Sequence, residues 1–266
     1  MKKILLVSGC SWTDKAFVSD FHPELDTSWP KWPEILGEML DMEVINLGKS
    51  GQGNEYIYSS LLDRVVGMSD EDRSRIGLVI AAWSGAQRRD WEKTPWRKYP
   101  PPGRNHTPPT YQWCSDRYDT KGDVYYFINR LSRCAMSLQI LCERYNIPYM
   151  QVQMIPVLGS FAFGRDTTDP ADPAWVKSIN STYTQALLKL EESDYLQKLD
   201  GDKWLPYWPP FYTDDWSMKN YVFSSDTAGW GYRPDSDHER YVISKQDRHP
   251  NAEGQKLIAG FINEHI

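Results

Sequence analysis

A three-layer α/β/α domain built on a parallel sheet is the fold class this sequence predicts, and three observations predict it. Short apolar runs alternate with segments of helical period, which is the pattern of strand–helix–strand crossovers. The first two apolar runs pass directly into small, polar or glycine residues, as buried strands do where they leave a parallel sheet. A chain of 266 residues with 40% hydrophobic content can bury one substantial core, so residues 1–266 are read as a single domain.

Taken in order, Ile4-Leu5-Leu6-Val7 is the first strand and runs into Ser8-Gly9-Cys10-Ser11. Trp32, Ile35, Leu36, Met39 and Leu40 repeat at helical spacing, and Val44-Ile45-Asn46-Leu47 follows as a second strand. A turn containing Gly48, Gly51 and Gly53 leads to Asn54, an expected cap for a helix reaching about Val66. Leu78 to Ala82 is the third strand. From about 91 to 123 prolines and polar residues break the pattern, Pro100-Pro101-Pro102-Gly103 among them, and this stretch is read as an insertion. Helical period returns from about Val124 to Tyr145, a fourth strand covers Pro148 to Met154, and a further helix is expected over roughly 173–191. A second aromatic, proline-rich insertion spans about 195–242, and Pro250-Asn251 opens a final amphipathic helix.

The charge balance narrows the partners. Thirty basic and 36 acidic residues give −6, and neither sign gathers into a run, so nucleic acid and anionic membrane surfaces are not expected. The apolar run near the N-terminus is too short for a signal peptide or a membrane span, which places the chain in the cytoplasm. Cys10, Cys114, Cys134 and Cys142 lack metal-binding spacing and read as reduced, buried thiols. His22, His106, His238 and His265 have no ligand spacing with cysteine or acid; they are expected to be solvated or structural, and no metal or cofactor is predicted.

In an open parallel sheet, sites form where loops leave the carboxyl ends of strands. Ser11 lies just past the first strand, and a serine there gains nucleophilic character only if an imidazole accepts its proton. His249 is the candidate base, and Asp247 the group that fixes its tautomer. Gly9-Cys10-Ser11-Trp12-Thr13 lacks the second glycine of a nucleophile elbow, and Gly48-Lys49-Ser50 lacks the earlier glycine of a phosphate loop.

These residues bear a resemblance to the SGNH/GDSL hydrolases. Ser11 matches the serine of that family's first block, with Cys10 standing where an aspartate is usual. Asn46-Leu47-Gly48-Lys49-Ser50-Gly51 resembles the second block, and Asp247-Arg248-His249-Pro250 the last, with one residue rather than two between acid and base. The third block departs: Ala82-Trp83-Ser84-Gly85-Ala86-Gln87-Arg88 contains no asparagine. The resemblance covers the first ~90 residues and the last ~25. It implies a Ser11–His249–Asp247 triad, an acyl-enzyme, and an oxyanion hole from the N–H groups of Ser11 and Gly51, with Ser84 the first choice and Gln87 or Arg88 the alternatives for the missing donor. Some phage-encoded members of the family have similar Gly-Cys-Ser-Trp and Asp-x-His-Pro signatures, which implies a viral origin with virion association or release on lysis.

Composition suggests the substrate. With 12 Trp and 16 Tyr, many of them in the two insertions, the sequence offers flat apolar faces for stacking sugars, or alternatively small satellite cores. Trp208 and Trp230 are the leading platforms, and Trp12, Asn54, Gln87 and Arg88 the expected contacts near the serine. The resulting expectation is an esterase that removes a small acyl group, foremost acetyl, from a carbohydrate or other small ester. The competing classes are a binding or virion-surface protein without turnover, and an acyltransferase.

Overall fold

The structure is a computed structural model describing residues 2–93, 112–116, 121–155, 193–205, 240–244, 246–247 and 249–266. Five parallel strands form the main sheet: β1 (Ile4–Gly9), β2 (Glu43–Asn46), β3 (Ile76–Trp83), β6 (Tyr149–Gln153) and β7 (Trp204–Leu205), in the spatial order β2-β1-β3-β6-β7. Helices α1 (Trp32–Met39), α2 (Asn54–Gly67), α3 (Asp70–Ser74), α4 (Val124–Tyr145), α5 (Asp194–Gln197) and α6 (Ala252–Asn263), a 3-10 turn at Gly201–Lys203 and an antiparallel pair, β4 (Arg89–Lys93) with β5 (Gln112–Asp116), complete the described elements.

The sequence makes a layered sheet because β1 and β6 are buried along their whole length, and β3 nearly so. Strands covered on both faces carry mostly apolar side chains, so such a run reads as continuous rather than alternating; β6 departs at the buried Gln151, which accepts from the Trp83 indole N–H, and at the buried Gln153, which donates to the Ser84 carbonyl. Adjacent residues nonetheless face opposite layers. Leu6, Val79, Ala81 and Trp83 pack with Ile57, Leu61 and Val65 of α2 and Phe127, Leu131 and Leu138 of α4. Leu5, Val7, Leu78, Ile80 and Val152 pack with Trp32 and Leu36 of α1 and Ile258, Ala259 and Ile262 of α6.

Caps fix the helix ends. Asp123 accepts the Tyr126 N–H at 2.8 Å at the start of α4, and Asn146 in the left-handed region closes its end. Asn251 accepts the N–H groups of Glu253 and Gly254, each at 3.0 Å, to start α6. At α2 the expectation is corrected. Gly53 is the capping position, and Asn54 is the first helical residue because its side chain is drawn to the loop after β3.

Two further differences concern the insertions. The first contains a hairpin, β4 with β5, beginning at Arg89. Residues expected to open the second include β7, which pairs with β6 and belongs to the main sheet. The expected helix over 173–191 lies outside the described residues. Cys10, Cys134 and Cys142 are buried as expected, whereas Cys114 on β5 is half-buried. No helix among the described residues is long and apolar enough to cross a membrane.

Candidate active site

The chain leaves β1 for β2 on one side and later places β3 on the other, so the crevice between the β1 and β3 ends is a topological switch point. Ser11 sits two residues past β1 and Ser84 directly past β3.

The loop after β1 is tightly made. Thr13 and Asp14 both donate their N–H to the Cys10 carbonyl, at 2.9 and 3.1 Å, which turns the chain sharply around Ser11. Asn46 ties this turn to β2, its side-chain amide donating to the Thr13 carbonyl at 2.8 Å while its oxygen accepts the Gly48 N–H at 2.9 Å. Asp14 reaches Ser50, accepting its N–H at 2.8 Å and its hydroxyl at 2.6 Å. Gly48 has to be glycine for a reason of space: a Cβ there would lie 2.8 Å from the Thr13 backbone. Gly51 has φ +80°, a conformation that costs a side-chain-bearing residue free energy.

Asp247 and His249 come from a closed loop ahead of α6. Ile243 donates to the His249 carbonyl, and Ser244 to the Asp247 carbonyl, each at 2.9 Å. The Asp247 N–H donates to the Ser244 hydroxyl at 3.0 Å. This loop meets the β1 loop across the sheet end. His249 Nε2 is 2.8 Å from Ser11 Oγ, and His249 Nδ1 is 2.5 Å from Asp247 Oδ1. The Phe17 ring lies against the imidazole with centroids 4.3 Å apart. Ser11 is 9% exposed, and the His249 side chain 28%, so the site is open at one side.

Burial alone would push the Asp247 carboxyl up. Hydrogen bonds from His249 and Ser19, together with the charge of His249, outweigh it and bring the pKa down to about 2. The carboxyl is therefore an anion at neutral pH, suited to stabilise an imidazolium.

The other expected residues are placed as follows. Ser84 is fully buried; its backbone N–H donates to Asn54 Oδ1 at 2.8 Å, and its carbonyl accepts from Asn54 at 3.1 Å and Gln153 at 3.2 Å. Its hydroxyl has no hydrogen-bond partner among the described residues. Asn54, expected to touch substrate, is buried and has its side chain engaged with this loop backbone. Trp12, next to Ser11, is only 7% exposed and belongs to the apolar cluster of α1 and α6. Gln87 is buried, and Arg88 is half-buried, donating to the Gln52 carbonyl at 3.0 Å. Trp208 and Trp230 lie outside the described residues. Among the described residues no group of three or more His, Cys, Asp or Glu side chains is arranged to hold a metal ion.

Sequence reasoning missed the loop between β1 and α1. Phe17, Ser19 and His22 all meet the loop that carries Asp247 and His249: Phe17 lies against the His249 ring, Ser19 Oγ donates to Asp247 Oδ2, and His22 Nε2 is 2.8 Å from Ser244 Oγ. No periodicity or motif marks these residues, so nothing in the sequence singles them out.

No protein-family profile matches the chain, and no curated protein is significantly similar to it. Among solved structures it is similar to a protein described as lipolytic and of the G-D-S-L family from Desulfitobacterium hafniense DCB-2, with 14% identity, 100% of both chains covered and a TM-score of 0.44. A psychrotrophic esterase from Pseudoalteromonas sp. gives 13% identity over 99% of this chain and 96% of that one, with a TM-score of 0.42. A protein described as an acylhydrolase from Bacteroides fragilis NCTC 9343 gives 12% identity over 98% and 85%, also at 0.42.

Proposed function

We propose that this protein is a serine ester hydrolase of SGNH/GDSL type that removes a small acyl group, foremost acetyl, from a carbohydrate. The observation that carries the hydrolase reading is the unbroken hydrogen-bonded chain from Ser11 Oγ through the His249 ring to Asp247, set at the carboxyl edge of a parallel sheet.

In this reading His249 Nε2 takes the Ser11 proton as Oγ bonds to the ester carbonyl carbon, and Asp247 stabilises the resulting imidazolium. The carbonyl oxygen becomes an oxyanion held by the N–H groups of Ser11 and Gly51 and by the Ser84 hydroxyl. The Ser84 hydroxyl is buried beside a backbone clamped by Asn54, and donating to the developing anion gives it a hydrogen bond that is strongest in the transition state. The tetrahedral intermediate collapses as His249 returns the proton to the leaving alcohol, leaving acyl-Ser11. Water then attacks with His249 again as base, releasing the acid and restoring Ser11. The sugar portion of the proposal rests on the tryptophan and tyrosine content of the sequence.

A fluorophosphonate probe tests the chemistry. Wild type labels at Ser11, whereas Ser11→Ala and His249→Ala both lose labelling and nearly all turnover of p-nitrophenyl acetate, their losses being similar rather than additive. Labelling that persists in Ser11→Ala refutes the assignment. Acetate release from an acetylated oligosaccharide, with a kcat/KM above that for the small ester, supports the carbohydrate substrate; a lower one refutes it.

A further inference from the structure

The short spacing between acid and base raises a question of hydrogen-bond accounting. With one residue between them, Asp247 Oδ1 receives both contacts from His249, the backbone N–H at 3.1 Å and the ring Nδ1 at 2.5 Å. Oδ2 receives nothing from the histidine. Asp247 is 1% exposed, so bulk water does not supply a partner, and a buried carboxylate oxygen without a donor is strongly disfavoured.

Ser19, itself 1% exposed, fills that position by donating its hydroxyl to Oδ2, and its oxygen accepts the His22 N–H at 3.0 Å. The loop that carries Ser19 is braced from within. The buried Lys31 ammonium donates to the carbonyls of Thr27 and Trp29, and the Thr27 hydroxyl donates to the Phe17 carbonyl at 2.5 Å. Phe17 then lies against the imidazole while Ser19, two residues on, holds the carboxylate.

We propose that Ser19 is a positioning residue acting through Asp247: by binding the oxygen that His249 leaves unused, it locks the rotation of the carboxylate and so aims the His249 ring at Ser11. This rests on the reading of Ser11, His249 and Asp247 as the catalytic chain. A carboxylate held at one oxygen swings about its Cβ–Cγ bond; one held at both does not. The hydroxyl also supplies a charge-assisted hydrogen bond, the stronger kind, to an anion shut off from solvent.

The test separates positioning from catalysis. Proton NMR follows the low-field His249 Nδ1–H resonance, assigned by its loss in His249→Gln, and fluorophosphonate labelling follows Ser11, for wild type, Ser19→Ala and Ser19→Thr. The expected result is that Ser19→Ala moves that resonance upfield and broadens it, and slows labelling about tenfold or more, while Ser19→Thr, which keeps the hydroxyl, retains both. A folded Ser19→Ala with the wild-type resonance overturns the proposal, even if labelling slows, because the hydroxyl then does not act through Asp247. If wild type shows the resonance but never labels, the hydrolase reading fails, and the NMR comparison alone decides whether Ser19 holds the dyad. If Ser19→Thr does not fold, the Ser19→Ala resonance decides in the same way.

Discussion

An aspartate separated from its histidine by a single residue has to double back on it, and from that geometry we expect Asp247 to contribute more than its unusual spacing suggests. Its Oδ1 serves the backbone and the ring of His249 together. Asp247→Asn replaces one carboxylate oxygen with an amide that donates, so the ring loses its anionic partner and its fixed tautomer. The expected outcome is a fall in kcat of roughly 10³-fold or more with KM little changed, measured on p-nitrophenyl acetate. Stability should follow the same carboxyl. Its pKa of about 2 lies below the ordinary 3.8, so the stabilisation is fully present above pH 3.8 and is lost as pH falls through about 2. Urea unfolding should therefore find Asp247→Asn less stable than wild type by about 2 kcal/mol near pH 6, with the gap closing as the pH is lowered. A gap that stays constant down to about pH 2 contradicts this. Ser11, Asp247 and His249 could be singled out as candidates in the sequence because each sits in a motif at a strand end or helix start. Ser19 and Phe17 were not, because their partners lie more than two hundred residues away and only the closed tertiary structure selects them.

Elements transmit that geometry through the turn after β2. Asp14 holds Ser50, and the Gly53 and Tyr56 N–H groups donate to Asp90 at the start of the hairpin, at 2.7 and 3.1 Å, so β1, β2 and β4 brace one another at the sheet end. Burial pushes the Asp90 carboxyl up, against the pull of those same hydrogen bonds. Gly48 lies close against the Thr13 backbone, with no room for a Cβ, and Gly48→Ala should displace the Ser11 turn. We expect it to cost about 1–3 kcal/mol of stability and to slow labelling of Ser11. Gly67→Ala, where a Cβ meets open space, should leave both unchanged and serves as the control. Thermal midpoints with labelling rates check the pair. The long buried strands were readable as unbroken apolar runs, and the amphipathic helices because their period spans several turns. The strand β7 has two residues, the helix α3 reads Asp-Glu-Asp-Arg-Ser, and β4 reads Arg-Asp-Trp-Glu-Lys; short or polar segments carry no period, and their partners decide their structure.

At the scale of the whole molecule, the layer formed by α1 and α6 joins the two ends of the sequence. Trp32 and Leu36 meet Ile258, Ala259 and Ile262 in one fully buried cluster, so α6 is core to the domain. Ile258→Ala should cost about 2–5 kcal/mol in urea unfolding while the folded fraction keeps its labelling rate, since the cavity lies within the packing and away from the crevice. The same closure dictates when the site comes into being. Ser11 and His249 are 238 residues apart in the chain. A ribosome adding about 5–20 residues per second exposes the serine roughly 10–50 s before the histidine, and α6 follows last. Throughout that interval the nascent chain carries a hydroxyl with no proton acceptor beside it. The Ser11–His249 pair therefore forms only after α6 and the loop ahead of it have been made and α6 has docked against α1.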